Sequence, residues 1–365
     1  MDVYVVGLAI HPAAASIRNL RLEELAYATA RAALDDARVK RSDLDHVTLA
    51  ACDELDGRSI SSMLLAAPSG AYLKDEIRVT DSGLMGLCLG ALRVASGRFD
   101  LGLAISWSQT SLAPYEDVTR MRAEPFFLRP IGMNAAIADG LFAGAVAARW
   151  RIGESEVADA VVRRAAQADR NPRAVAHARP TADQVAGSDI VAHPLRTAHC
   201  APVTDGAVAF VLASRRWVDA HPEHLPLARL RGVDWRIDSY RLDQDRLSGM
   251  TIFRQTIDGA LRRAGIDAAA RLDLIEWEAP TGYHDVAYAR AMTEIDDVAT
   301  SPSGGTWSQN PVFCTGLVNA AEAVLQVAGR AGAVQVAGAR LALAHGCHGY
   351  AQQGHAVAVF ESVPA

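Results

Sequence analysis

One β/α unit occurs twice in this chain, and that recurrence restricts its fold more than any bulk property. Ala33-Leu34-x-x-Ala37-x-Val39 closes one helical run, and Ala260-Leu261-x-x-Ala264-x-Ile266 closes another. The first run, Leu22–Ala37, puts Leu22, Leu25, Ala26, Thr29, Ala33 and Leu34 on one side of a helix. The second is Phe253–Ala264. Each leads to an Asp (Asp45, Asp273) beside an apolar strand, His46–Ala51 or Leu272–Trp277. Val3–Ala9 reads as a further strand ahead of the first helix. Each half then closes with two apolar strands: Leu101–Ser106 and Ala207–Ala213, then Gln335–Leu343 and Ala356–Phe360. Helices alternating with strands in a matched order predict an α/β protein built by duplication. His221-Pro222 and Leu225-Pro226 interrupt the pattern within Trp217–Leu227, which sets the halves at 1–220 and 221–365. Residues 111–202 are an insertion in the first half. They hold two helices, Asn134–Trp150 and Ser155–Asp169, and a polar stretch, Asn171–Arg196. Such an excursion builds a lid or binding loop over a site carried by the scaffold.

Half of the 365 residues are hydrophobic, enough for one large core or two closely packed domains. A net charge of −6 gives no reason to expect nucleic acid or an anionic membrane as partner. No apolar run reaches the length of a membrane span. Met1-Asp2-Val3-Tyr4 lacks the regions of a secretory signal. Five widely spaced cysteines, Cys52, Cys88, Cys200, Cys314 and Cys347, read as free thiols of a reducing cytoplasm. Their spacing gives no metal site.

The stretch from Val79 to Gly97 carries the most chemistry. An apolar strand stops at Thr80-Asp-Ser-Gly83, and a helix rich in Gly, Ala and Leu begins there. Free N–H groups and the macrodipole at a helix N-terminus favour developing negative charge. A corresponding turn and helix follow Gly304-Gly305, running through Gly316 into Val318–Ala328.

The Thr80 segment resembles the nucleophile turn of the thiolase superfamily, a Cys followed by a small residue, Ser and Gly. The insertion adds Trp150-Arg-Ile-Gly-Glu-Ser-Glu-Val157, Asn171-Pro-Arg-Ala174, Pro180-Thr-Ala-Asp183, His193-Pro-Leu-Arg196 and Cys200-Ala-Pro-Val-Thr-Asp-Gly-Ala207, in that family's order. The similarity covers roughly residues 3–361 and is nearest the sterol-carrier-protein type. It implies the thiolase fold, two αβαβα-layered halves related by pseudo-twofold symmetry, and at least a homodimer. It also implies a CoA or phosphopantetheine thioester as substrate, on acyl-CoA or an acyl-carrier protein, with no permanently bound cofactor.

All four loops that supply the family's active site depart from its pattern. Thr80 stands where the nucleophilic Cys belongs. Gln309-Asn310-Pro311 stands for Gly-His-Pro, so the expected His is Asn310, which donates a hydrogen bond but takes no proton at neutral pH. Glu276-Trp-Glu278-Ala-Pro-Thr281 replaces a loop that carries His or Asn, and His345-Gly-Cys347-His348-Gly-Tyr350 replaces a Gly-rich loop. Acyl transfer needs a nucleophile, a base and oxyanion donors. Here the nucleophile and its base are both altered. The candidate catalytic residues are therefore Glu278, Asn310, His345, Cys347, His348, Tyr350 and Thr80, with the two imidazoles, thiol and phenol of 345–350 expected in one turn. Glu278 serves as a base if burial raises its pKa, and Tyr283 and His284 lie just beyond it. Ser303, Gly304 and Gly305 offer backbone amides to the ligand. Cys314 lies near Asn310. Cys88, Cys52 and Cys200 read as structural, Cys88 at a dimer interface.

Three functions fit these residues. The first is aldolase-like cleavage or formation of a carbon–carbon bond on an acyl thioester without an acyl-Cys, as in thiolase-fold aldolases that work with a zinc-ribbon/OB-fold partner. The second is an acyltransferase with a substitute nucleophile, Cys347 or Thr80. The third is a non-catalytic subunit beside a thiolase-like partner.

Overall fold

The computed structural model describes residues 2–176, 178–292 and 295–364. Along the first half run β1 (Val3–Ile10), helix α1 (Leu22–Ala37), β2 (His46–Ala50), β3 (Asp75–Val79), α2 (Gly83–Ala95) and β4 (Leu101–Ser108). The insertion then contributes α3 (Tyr115–Arg122), α4 (Ala135–Trp150) and α5 (Glu154–Ala168). A short helix, Ala182–Ala186, and a ribbon of Ile190–Ala192 with Leu195–Arg196 complete it. β5 (Gly206–Ser214) closes the first half. The second half holds β6 (Ala228–Ile237), α6 (Thr251–Ala264), β7 (Leu274–Glu276), α7 (Gly282–Ala291), β8 (Ala299–Thr300), α8 (Thr315–Val327), β9 (Leu341–His348) and β10 (Gly354–Glu361).

The strands form one mixed sheet in the order β8-β7-β9-β10-β6-β1-β5-β4-β2-β3. Read outward from the central β1–β6 pair, each half has the same internal order, first-fifth-fourth-second-third. Pairing follows suit: β2 is parallel to β3 and β4, and β7 is parallel to β8 and β9. The duplication is thus in the topology. α2 and α8 pack together and against both half-sheets, while α1 covers β1, β4 and β5 and α6 covers β6 and β10.

The residues repeated in the sequence have repeated physical roles. A Cβ on Gly7 of β1 would lie 2.6 Å from the Ala37 backbone nitrogen and 2.7 Å from the Ala33 oxygen. A Cβ on Gly232 of β6 would lie 2.5 Å from the Ala260 oxygen and 2.8 Å from the Ala264 nitrogen. The Ala pairs let each outer helix touch a strand backbone, which explains why small residues recur there. Asp45 accepts from the N–H groups of Asp100 and Leu101, at 2.7 and 2.9 Å. Asp273 accepts from those of Arg340 and Leu341, both at 2.8 Å. Each Asp therefore pins the start of its half's fourth strand.

That clamp corrects one expectation. β9 starts at Leu341, not Gln335, because Gly338 turns with positive φ and Asp273 caps the chain after it. The strand then continues through His348, so His345–His348 are strand residues rather than members of a turn. Cys88 is also placed otherwise than expected. It is fully buried between the halves, its thiol facing the Val357 oxygen at 3.9 Å, inside the monomer's core and away from any outer face.

The insertion leaves the first half but lies on the second. α4 and α5 pack on α7, and α5 also covers the 305–307 turn. Arg164 of α5 meets Asp285 of α7 at 2.6 Å, both buried, and Trp277 Nε1 adds a bond to the same carboxylate at 2.7 Å. Arg173 pairs with buried Glu322 at 2.6 Å. Removing one member of a buried pair costs about 3–5 kcal/mol, so these pairs fix the insertion in one position over the second half's loops.

Candidate functional site

The loops singled out in the sequence meet where α2 and α8 begin. Gly83 N–H donates to the Phe313 oxygen at 2.9 Å, and Glu278 N–H donates to the His345 oxygen at 3.2 Å. Gly316 lies against the end of β9: a Cβ there would sit 2.8 Å from Gly346 Cα and 3.1 Å from both Leu84 Cβ and Glu278 Oε2. Only glycine fits at this contact, which brings the 80–84 turn, the 277–281 loop, the start of α8 and β9 around one carboxyl group.

That carboxyl is Glu278. It is buried, and burial pushes its pKa up to about 8 against the N–H groups of Cys347 and Gly316, which favour the charged form. Cys347 N–H lies 3.1 Å from Glu278 Oε2, and the thiol donates to the Glu278 oxygen at 3.7 Å. Burial and the nearby carboxylate hold the thiol well above its ordinary value. The buried Tyr288 hydroxyl neighbours this thiol and favours its charged form. Burial also raises Tyr115, within electrostatic reach of Glu278 and Cys347. At neutral pH the centre carries its protons.

Thr80 is exposed at the end of β3, and its hydroxyl has no hydrogen-bond partner among the described residues. The α2 cap is Ser82, whose side chain accepts from Met85 N–H at 3.2 Å. His348 points to the opposite face of β9 from Cys347. It lies across Gly354, half-buried, where burial lowers its pKa and the Asp81 carboxylate partly restores it. Asn310 is held by its backbone N–H on Thr204 Oγ1 at 2.9 Å and by Thr315 Oγ1 on its Oδ1 at 2.8 Å. Its Nδ2 makes one long contact, 3.5 Å to the Ala201 oxygen, so an amide hydrogen remains to donate.

Other expected site residues are committed elsewhere. His345 is fully buried, bonded through Nε2 to His355 Nδ1 at 2.9 Å and edged by Phe253 and Tyr288. Burial drives its pKa down to about 3, so it is a neutral core imidazole near pH 7. Tyr350 donates its hydroxyl to the Thr119 oxygen and ties the β9–β10 turn to α3. Ser303 gives its N–H and hydroxyl to the buried Glu276 carboxyl at 3.0 and 2.7 Å. Gly304 N–H is bonded to Ser301 and Gly305 N–H to Ser303 Oγ, leaving neither amide for a ligand. Cys314 caps α8 and faces the Ser106 oxygen at 3.4 Å. Tyr283 packs edge-on against His199. No group of three or more His, Cys, Asp or Glu suited to a metal occurs among the described residues.

Sequence reasoning missed Tyr115, Asp139, Tyr288 and His355. Asp139 carried a signal, as the single acidic residue of the Ala- and Gly-rich α4. Tyr288 lies one turn beyond His284 on α7, and His355 interrupts an apolar strand. Tyr115 gave none. A cavity of about 330 Å³ lies between α5, the 171–180 stretch and Trp307. Its wall at Cys200–Pro202 backs directly onto the centre, through the Cys200–Thr281 bridge and the contact of Ala201 with Asn310.

Comparison with known proteins agrees with this architecture. The family description "Thiolase, N-terminal domain" matches residues 3–216, and "Thiolase C-terminal domain-like" matches residues 282–362. An acetyl-CoA acetyltransferase of Methanothermobacter thermautotrophicus is 26% identical, over 95% of this chain and 96% of its own. A non-specific lipid-transfer protein-like 2 of Caenorhabditis elegans is 22% identical over 94% and 92%. Among solved structures, human mitochondrial 3-ketoacyl-CoA thiolase superposes with a TM-score of 0.82, over 100% of this chain and 99% of the other at 18% identity. No helix among the described residues is long and apolar enough to cross a membrane.

Proposed function

Because the chain belongs to the thiolase family, we propose that it makes or breaks a carbon–carbon bond beside an acyl-CoA thioester, with Glu278 and Cys347 moving the proton and no acyl-enzyme on Thr80. The observation that carries this reading is the buried Glu278–Cys347 contact at the meeting point of the four loops. A carboxyl with a pKa of about 8 is mostly protonated at pH 7 yet ionises within a unit of it, which suits a group that gives and takes a proton at a thioester α-carbon. Asn310 Nδ2 supplies a donor for the thioester oxygen as charge develops. Thr80 has no base, and a secondary hydroxyl without one is not acylated.

Aldol-type chemistry needs only proton transfer and an enolate site, whereas acyl transfer through the enzyme needs a nucleophile. The test is incubation of the purified protein with β-hydroxyacyl-CoA thioesters and detection of a shorter acyl-CoA with a carbonyl product. Turnover supports the reading. A folded protein that turns over none of them contradicts it. The likeness to an acetyl-CoA acetyltransferase favours a second reading, acyl transfer through Cys347. An acyl adduct that disappears in Cys347→Ser would establish that route. The high pKa of the thiol opposes it.

The same reading extends to assembly. β3 is an edge strand, and Ile60, Met63, Tyr72 and Leu73 are exposed near it. An unpaired edge flanked by apolar side chains suits a second copy of this chain. A separate exposed group, Met121, Phe126, Phe127 and Ile131, lies on the insertion and suits a partner subunit of the zinc-ribbon/OB-fold or thiolase-like kind. Five free thiols fit a reducing cytoplasm.

A further inference from the structure

Beside the Glu278–Cys347 centre, polar groups from two different elements come within 3.9 Å of each other without bonding. Asp139 projects from α4 of the insertion. Its carboxylate takes no hydrogen bond among the described residues, although solvent reaches about a fifth of the side chain, 22%. His284 projects from the first turn of α7 and is fully buried. Its ring stacks on Phe142 at 3.9 Å and 9°, which fixes its plane. Thr281 Oγ1 lies 2.8 Å from His284 Nδ1 and accepts from the His284 backbone N–H at 3.4 Å. With the threonine hydroxyl donating to Nδ1, the ring carries its hydrogen on Nε2.

That Nε2–H has no partner. It lies 3.9 Å from Asp139 Oδ1, too far for a direct bond. One oxygen held about 2.8 Å from each would bridge them. It would accept from His284 and donate to Asp139. A ligand hydroxyl, like a water, both accepts and donates through one oxygen. Tyr288, one turn along α7, adds a second buried hydroxyl, directed at the Cys347 thiol. Asp139 acts electrostatically on Tyr115, Cys200, Tyr288 and Cys347, so it lies on the same side as these groups. Burial together with Glu116 raises Asp139 to about 7, so it is present partly as the strong acceptor, the carboxylate.

We propose that Asp139 and His284 form a hydroxyl-binding subsite, and that the thioester this protein takes carries a hydroxyl on its acyl chain, as a β-hydroxyacyl thioester does. This rests on the acyl-thioester reading above and names the substrate class within it. A plain saturated acyl group would leave the buried Nε2 of His284 unpaired, which disfavours it.

Calorimetric titration of the full chain tests this, using a 3-hydroxyacyl-CoA and the unsubstituted acyl-CoA of the same length. The wild type is expected to prefer the hydroxylated ligand by about tenfold or more. In Asp139→Leu and in His284→Phe, which keeps the stack on Phe142, the ratio of the two affinities falls to about one. Equal affinities in the wild type, a bound water being the gap's only occupant, would overturn the subsite and leave the acyl-thioester reading standing. A preference that survives in both variants would also overturn it. Failure of the wild type to bind either thioester would overturn both.

Discussion

The two halves share a scaffold and differ in their chemistry. Strand order, the Asp45 and Asp273 clamps and the Gly–Ala contacts of the outer helices are duplicated almost atom for atom. The loops at the ends of those strands are not. The first half presents Thr80, exposed and unpartnered, at the start of α2. The second half presents Glu278 and Cys347, buried against each other beside the start of α8. The insertion, although it belongs to the first half, adds Asp139 and Tyr115 to the second half's side. Backbone contacts fix the scaffold tightly in both halves, and the halves differ in the side chains at their strand ends and in the insertion.

The largest test of that contrast is Glu278→Ala against Thr80→Ala. Removing the proposed acid/base at 278 is expected to lower the rate on an acyl-CoA substrate by about 10²–10⁴-fold. Steady-state kinetics of the two variants side by side would reverse the assignment if Thr80→Ala were the more damaged. Next in size is the scaffold itself. Gly7→Ala and Gly232→Ala each force a Cβ to within 2.6 Å of a helix backbone. Both are expected to lose about 1–3 kcal/mol or more in denaturant unfolding. A large loss in one half alone would show that the duplicated packing is not equivalent.

A third contrast between the halves is one of pH. The Glu278 pKa is raised in the fold, from 4.5 to about 8. Between those values the native state holds a proton that the unfolded chain has released, so this group makes stability fall as pH rises. Glu278→Gln removes that dependence. Its melting temperature is expected to gain on the wild type from pH 5.5 to pH 8.5, and a constant difference would contradict the raised value. Smallest of all, Thr80→Ala is expected to keep activity within about twofold and to leave the melting temperature unchanged.

Much of this scaffold was legible in the sequence. Leu22–Ala37 is a helix with the bounds its periodicity sets, and the paired Asp residues and Ala spacings carry the same roles in both halves. These features depend on local pattern and close backbone contact. The site was legible in part. Glu278 and Cys347 were candidates, but their contact spans 69 residues and depends on Gly316 and Gly346 touching. His345 looked like a loop base because polar residues at 345–348 hid the strand. Its burial against Phe253, Tyr288 and His355 comes from segments far away in the chain. Asp139 was one acid in an apolar helix, and only the fold sets it opposite His284.

The central claim is that the chemistry belongs to Glu278 and passes through no acyl-enzyme. Intact-protein mass spectrometry on enzyme quenched during turnover of an acyl-CoA tests it most directly. The account predicts unmodified protein mass while product accumulates. An acyl adduct mapping to Thr80 or Cys347 would contradict it.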